Sequence, residues 1–466
     1  MRCPRAKRRC SSSRAISMRR RTDCSAPPPP LRRLPCIPTS EFHLTGRSLS
    51  FALASAGRPI VPTPTPNSWP PALVLSLVAA GTILSISMGL RQSLGLFMEP
   101  MVQNAGVSVA TFGFAMALQN LAWGIGQPFM GALCDRYGGR LVVIASSALF
   151  CAGLYLIGTG SPLGLQLGGG LMIGIAVAGT SHGVLVGIVS RLAAPAVRGT
   201  AIAILAATGS LGTFVLAPTA QALIERWSWQ GALGGLAALA AGMAAVAFLF
   251  RTASPGAAAG PAQQKPDARR AIAEAMADRS FVISTVAFFA CGFQLIFIAT
   301  HLPKYIAICG LPPSVSAEAI ALIGICNAVG TLVAGYLCQR WGNKTVLALI
   351  YLLRTVSIAV FFTLPVSVET TLVFAAAMGF LWLSVVPPVS GLINGRFGTA
   401  NFGTLFGVMF LSHQLGAFLG AWLGGLSYEW SGSYATAWIA LILVGTLAAI
   451  LQFLAEDEGS PRPQPA

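Results

Sequence analysis

The sequence predicts an all-α membrane protein of about twelve transmembrane helices in two six-helix pseudo-repeats. Three observations predict it. The chain is 55% hydrophobic and 9% charged, with mean hydropathy +0.71, a balance that membrane proteins show and soluble domains do not. A charged turn recurs at half-chain distance: Gly131–Arg140 reads Gly-Ala-Leu-Cys-Asp-Arg-Tyr-Gly-Gly-Arg, and Gly335–Lys344 reads Gly-Tyr-Leu-Cys-Gln-Arg-Trp-Gly-Asn-Lys. Finally, basic residues crowd the alternate loops.

Residues 1–70 carry 13 Lys/Arg and 2 Asp/Glu and are rich in Ser and Pro. This composition predicts a disordered tail, since it offers no apolar stretch long enough to span a bilayer. A transit peptide or translation from a later Met, such as Met18, are the other readings. Most of the net charge of +16 lies here. It does not point to nucleic acid, because no folded basic domain accompanies it.

From residue 71 apolar runs alternate with short polar breaks. Covering ~30 Å of hydrocarbon takes about 20 helical residues, which places helices near 72–98, 109–133, 140–159, 163–190, 199–223 and 229–250. These form a first bundle, 71–250. The linker 251–279 is Pro/Gly/Ala-rich and ends in an alternating-charge piece, Asp267–Arg279, expected as a helix on the membrane surface. A second bundle, 280–455, has helices near 280–302, 316–338, 344–364, 370–393, 402–424 and 434–455. A short tail, 456–466, follows.

With both termini on the same side, one set of loops holds Arg136, Arg140, Arg191, Arg198, Arg251, Lys265, Arg269, Arg270, Arg279, Arg340, Lys344 and Arg396, and the other only Arg226 and Lys304. The positive-inside rule makes the first set cytoplasmic, so the expectation is a multi-pass inner (plasma) membrane protein with both termini in the cytoplasm. The repeat reaches beyond the turn. At an offset of 204, Gly199-Thr200 aligns with Gly403-Thr404, Leu211-Gly212 with Leu415-Gly416, and Glu225 with Glu429; near the first helix of each half Gly89 aligns with Gly292 at an offset of 203.

At Gly131, Asp135, Arg136, Gly138 and Arg140 the chain resembles the major facilitator superfamily of secondary transporters. That family's signature between its second and third helices is Gly-x-x-x-Asp-Arg/Lys-x-Gly-Arg-Arg/Lys; Gly139 departs from it. Arg340, Gly342 and Lys344 keep the second copy, while Gln339 replaces the acid. The resemblance implies two bundles rocking about a midplane site, with these turns as the conformational motif. Gly89-Leu-Arg-Gln-Ser-Leu-Gly-Leu-Phe97, His301-Leu-Pro303, Leu381-Trp-Leu-Ser384 and Ser412-His-Gln-Leu-Gly416 further resemble bacterial monocarboxylate-porter-like members, over roughly 72–455. That implies a small organic anion, moved with a proton. The better-known monocarboxylate and oxalate carriers place an Arg in the eighth helix, and 316–338 has none, so an anion site here falls to other cations, Arg91 first. Ala217-Pro218-Thr-Ala is a poor match to the fifth-helix stretch of drug antiporters.

Polar side chains at bilayer depth are costly and mark function. Arg91 either clamps a carboxylate or snorkels outward to pair with Glu99. Gln294 is its counterpart in the seventh helix. His182, among small neighbours in the fourth helix, either takes part in substrate binding and proton coupling or bonds a neighbouring helix. His413 in the eleventh helix has the same two readings. Trp382 and Ser384 precede Pro387-Pro388, which bend the tenth helix and make it a candidate gate. Gln119, with Asn120, Gln127 and Trp123, and the lone Asn327 are substrate contacts or amide packing. Arg354 reads as a structural partner within the second half, and Lys304 as an exposed loop charge. The competing substrate class is a neutral or heterocyclic metabolite, vitamin or drug, recognised by Trp123, Trp382 and the amides. The expected partners are the bilayer, the substrate and protons, with a monomeric chain. No nucleotide loop, metal-ligand spacing or paired carboxylates point to an enzyme, a cofactor or a metal.

Overall fold

A proline opens the first helix. Pro71 sits where its missing N–H costs nothing and its fixed φ is already helical, so α1 runs Pro71–Ser93, tightens into a 3₁₀ turn at Leu94–Phe97 and continues as α2 (Met98–Ala105). The computed structural model describes residues 69–250, 268–398 and 401–456. The tail expected as disordered, most of the linker and the last ten residues lie outside the described residues.

Ser108 caps α3 (Val109–Tyr137), accepting from the Thr111 N–H, and α4 is Gly139–Gly158. The fourth span is assembled in pieces: α5 (Pro162–Gly164), a π-helical stretch Leu165–Met172, α6 (Ile173–Thr180) and α7 (His182–Leu192). α8, Pro195–Ala247, contains both the fifth and sixth spans, divided at Ser228, which has φ 73° and ψ 166°. The surface-helix segment is α9 (Ala268–Ala277), with Ala271 and Ala275 buried.

The second half repeats the plan. Asp278 caps α10 (Arg279–Ile308); α11 is Pro313–Trp341 and α12 Asn343–Thr363. A capping box at Ser367 and Thr370 starts α13 (Val368–Phe380), followed by α14 (Val386–Phe397), α15 (Phe402–Ser431) and α16 (Ala435–Leu454). Nine helical spans among the described residues are long and apolar enough to cross a membrane. One of these is α8, which holds two of the expected crossings. Two more crossings fall outside the nine: α3, diluted by Gln119, Asn120 and Gln127, and the tenth span, broken between α13 and α14. Every one of the twelve expected segments is thus helical.

The repeated turn has one backbone geometry in both halves: Gly138 has φ 86° and ψ 152°, Gly342 φ 78° and ψ 155°. A Cβ would meet nothing within 4 Å at either position. The glycines are there for the positive φ, not for space.

Two expectations change. The seventh helix runs six residues past 302, so Lys304 is a helix residue only 8% exposed rather than a loop charge. Glu99 pairs with that Lys304, Nζ to Oε2 at 2.6 Å, and therefore is not the partner of Arg91.

Candidate functional site

Two helix breaks mark the middle of the bundle, and they fall at matching places. In the fourth span, Ser181 is extended (φ −89°, ψ 175°) between α6 and α7. In the tenth, residues 381–385 separate α13 from α14. The repeat offset of 204 carries Ser181 onto Val385, the last residue of the second break. A broken helix leaves N–H and C=O groups that must find partners in a medium without water. In the first half the Ser181 hydroxyl donates to Gln127 Oε1 at 2.9 Å, and Trp123 Nε1 donates to the same oxygen at 2.7 Å. In the second, Asn327 Oδ1 accepts the Leu383 N–H at 2.8 Å, while its Nδ2 donates to Ser210 on α8 at 2.8 Å. Trp123 and Asn327 are themselves equivalent under the repeat, as are Gln127 and Thr331. One polar turn of the second helix in each half therefore serves the break in the fourth.

Arg91 faces this level from α1. Its Nη2 donates to Gln92 Oε1 at 2.9 Å and its Nη1 reaches Asn120 Oδ1 at 3.4 Å. The guanidinium carbon lies 5.0 Å from the centroid of the Trp123 ring, within cation–π range. Nε is buried with no hydrogen-bond partner. Among the described residues no carboxylate pairs with it. A cation at depth, held by neutral amides and a ring face, has its charge uncompensated by protein, which is the condition for taking an anion from solution.

The second half contributes through α15. Phe410 meets Trp123 edge-on at 5.3 Å, His413 stacks on Phe410 at 5.9 Å, and Gln414 Nε2 donates to the Asn120 carbonyl at 2.8 Å. His413 is buried within the second half, tilted against Phe288 of α10 at 5.0 Å and bonded to Gln414 Oε1 at 3.1 Å, and lies two ring contacts away from Arg91, through Phe410 and Trp123. The remaining sequence candidates lie elsewhere. Gln119, one residue and ~100° round the helix from Asn120, donates to Gly169 O at 2.8 Å and ties α3 to the fourth span. Gln294 is fully buried and donates to Leu441 O on α16, away from Arg91. His182 opens α7 beside the break, with its ring against the Ala206 backbone of α8. Ser384 and Trp382 are buried within the second break; the Ser384 hydroxyl donates to Phe380 O. Arg354, fully buried on α12, donates from Nη2 to the carbonyls of Leu381 and Trp382 at 2.5 and 3.0 Å. It satisfies the negative end of α13, a partner within the second half.

The halves are zipped along two helix pairs. Between α3 and α15, a Cβ on Gly425 would sit 2.8 Å from Ala110, one on Gly113 2.5 Å from Ala421 O, and one on Gly124 would press on Gln414. Between α8 and α11, Gly324 faces Ser210 and Phe214, and Asn327 meets Ser210. With the Glu99–Lys304 pair, these contacts run from the end of the bundle bearing Glu99 to the level of Arg91. Past that level, Phe406 and Phe402 continue the Phe410 face of α15, half-buried, toward the turns at Gly138 and Gly342.

At those turns Asp135 accepts from Arg191 at 2.7 Å, and Arg140 Nη2 donates to the Phe248 and Phe250 carbonyls at 3.2 and 2.7 Å. Arg136 and Arg340 lie over Tyr137 and Tyr336, at 5.3 and 5.2 Å. A Cβ on Gly131 would meet nothing.

A family model described as Major Facilitator Superfamily matches residues 75–417 and 302–466. The chain is similar to monocarboxylate transporter 13 of Rattus norvegicus, 27% identical over 401 residues, covering 82% of this chain and 89% of the relative. It superposes on a bacterial homolog of the human lysosomal transporter Spinster in an inward-facing, unoccupied conformation, with TM-score 0.68 and 14% identity over 83% of this chain and 98% of that one. It also superposes on the nucleoside transporter NupG, with TM-score 0.66 and 13% identity over 82% and 98%. At such identities the two structures show the fold alone.

Proposed function

This chain belongs to the major facilitator superfamily and is a multi-pass secondary transporter of a small molecule, and from that premise we propose that its substrate is a small organic carboxylate bound by Arg91 and moved with a proton. The observation that carries the reading is the guanidinium of Arg91: inside the bundle near the helix breaks, fixed by Asn120, Gln92 and Trp123, with Nε unpartnered and no protein carboxylate beside it among the described residues. A rat monocarboxylate transporter among its relatives supports the same class.

In this reading the carboxylate docks on Arg91, and the path past Phe402 and Phe406 joins that site to the cytoplasmic side. The two bundles then rock, closing one mouth and opening the other at the Glu99–Lys304 pair. The turns at Gly131, Asp135, Arg136, Gly138 and Arg140, and at Arg340, Gly342 and Lys344, face the cytoplasm, as do both termini, in the inner membrane. His182, the titratable group at the first break, is the residue assigned to proton coupling. Among the remaining candidates, His413 stays as a wall of the site. Asn327, Trp382 and Ser384 shape the second break, and Gln119 and Gln294 support the packing behind the site. The transporter works as a monomer.

The test is uptake of labelled carboxylates into proteoliposomes, with and without an inward pH gradient. Arg91→Gln is expected to weaken apparent affinity about a hundred-fold, within the ~2–5 kcal/mol lost when one partner of a buried charged pair is removed. His182→Gln is expected to leave exchange intact and abolish the response to the pH gradient. Unaltered carboxylate transport in Arg91→Gln rejects the anion site.

A further inference from the structure

The anion site stands at the head of a lane of aromatic rings. On α15, Phe402, Phe406 and Phe410 recur every fourth residue and therefore share one face. They stack in sequence, Phe402 on Phe406 at 5.6 Å and 27°, Phe406 on Phe410 at 6.5 Å and 13°, and Phe410 on His413 at 5.9 Å and 7°. Phe410 turns its edge against Trp123, and Trp123 lies under Arg91. The same face of α15 is pressed on α3 higher up, where Gln414 bonds Asn120 and Phe418 packs edge-on against Phe114 at 6.1 Å.

The bland account of such a stripe is ordinary packing. Three features argue otherwise. Phe402, Phe406, Phe410 and Trp123 are each only half-buried, whereas the packing face of α15, Leu405, Met409, Gly416 and Ala417, is buried. The fully exposed face is a different one, through Gly403, Gly407, Leu411 and Leu415. The rings thus lie neither on the packed face nor on the outermost one, but on the face directed at the other half. Second, Phe402, Phe406 and Phe410 lie nearly parallel, a run of ring faces along one side of α15 on which a flat molecule can lie. Third, the lane ends at a guanidinium and two amides, so the polar group of any ligand is fixed at one end only.

We propose that the transported carboxylate carries a flat aromatic or heteroaromatic ring, with the carboxylate on Arg91 and the ring laid against the accessible faces of the touching pair Trp123 and Phe410. This rests on the carboxylate reading above and narrows it. Offset or edge-on ring contacts contribute ~0.5–1.5 kcal/mol each beyond burial, enough to rank ring-bearing acids above aliphatic ones of equal charge. Phe402 and Phe406 then act as stepping surfaces along the cytoplasmic route.

Equilibrium binding of radiolabelled benzoate to the purified full-length protein in detergent tests this without interference from membrane permeation of the free acid. Unlabelled benzoate is expected to compete at about ten-fold lower concentration than acetate, and cyclohexanecarboxylate to fall between them; ten-fold corresponds to ~1.4 kcal/mol. Benzamide, flat but neutral, is expected not to compete. Phe410→Leu keeps volume and apolarity but removes the ring face, and is expected to reduce the benzoate preference over acetate to about two-fold. Phe406→Leu, one turn away from Trp123, is expected to lower the rate of benzoate transport while leaving equilibrium binding unchanged. Acetate competing as well as benzoate, or Phe410→Leu weakening both acids equally, overturns the ring proposal and leaves the Arg91 carboxylate site standing. Benzamide competing as well as benzoate overturns the carboxylate reading itself.

Discussion

Arg191 and Arg396 close the fourth span of each half, one residue out of register with the repeat, and each finds an acid in a different place. Arg191 pairs with Asp135 in the motif turn, with side chains 34% and 70% exposed. Arg396 pairs with Asp278 at 2.6 Å, with side chains 7% and 9% exposed. Asp278 also caps α10 through the Phe281 N–H, and Arg396 reaches the Glu456 carbonyl. The second turn holds Gln339 where the first holds Asp135, so the arginine of the second half lost its loop partner and is latched to the base of the seventh span instead. An exposed pair contributes ~0–1 kcal/mol and opens readily. A buried pair stripped of one partner costs ~3–5 kcal/mol. The exposed pair of the first half is therefore the weaker of the two, and the buried pair of the second half the firmer tie.

The largest expected effect tests that asymmetry. Asp278→Asn keeps the capping oxygen but removes the charge that the buried Arg396 meets at 2.6 Å. Thermal unfolding in detergent should show a loss of about 3 kcal/mol or more, while Asp135→Asn should cost under about 1 kcal/mol. Equal losses would mean that the two pairs do the same work and that exposure has misled.

The breaks in the fourth spans give a smaller contrast. Asn327 accepts a backbone N–H that cannot turn elsewhere, whereas Gln127 accepts from two side chains, one of which, Ser181, also reaches the Ala178 carbonyl at 3.2 Å. Removing the acceptor of a fixed donor costs ~1–3 kcal/mol, against ~0.5–1.5 kcal/mol for an ordinary hydrogen bond. Asn327→Ala should accordingly destabilise more than Gln127→Ala by about 1 kcal/mol. The reverse order would show that the break in the tenth span is held mainly by Arg354.

The same contrast explains what could be read in the sequence. The spans were legible because hydropathy is a sum over twenty residues, and the repeated turns because a positive-φ glycine fixes a local pattern. The break in the tenth span was announced by Pro387-Pro388. The one at Ser181 was not, because it is held by Gln127 more than fifty positions earlier and carries no proline. Arg91 stood out as a charge in an apolar run. Its partners did not, since choosing Asn120 over Gln119 requires the rotation of α3 about its axis, which the apolar residues all round that helix leave unstated. Gln294 aligned with Arg91 by repeat, yet its side chain turns to α16. Lys304 was misread because helix ends are set by tertiary partners, here Glu99 on α2, and not by local composition.

The smallest expected effect concerns a pair the repeat itself identifies. Ser228, between the fifth and sixth spans, is equivalent at the 204 offset to Gly432, between the eleventh and twelfth. Both have positive φ, 73° and 67°. Gly432 has ψ 8°, the left-handed helical well, but Ser228 has ψ 166°, a region that essentially only glycine occupies, at a cost of ~1–3 kcal/mol for a residue with a Cβ. Ser228 is exposed, and its hydroxyl accepts only a long contact, 3.5 Å from the Gly231 N–H, worth a few tenths of a kcal/mol when glycine replaces it. Ser228→Gly should therefore raise stability by about 1 kcal/mol, seen as a higher unfolding temperature with unchanged transport. Gly432→Ser should lower it by ~1–2 kcal/mol, the cost of left-handed backbone for an ordinary residue. If Ser228→Gly is neutral or destabilising, the two inter-span turns are not equivalent in energy, and the first half gains something from its serine that the second half does without.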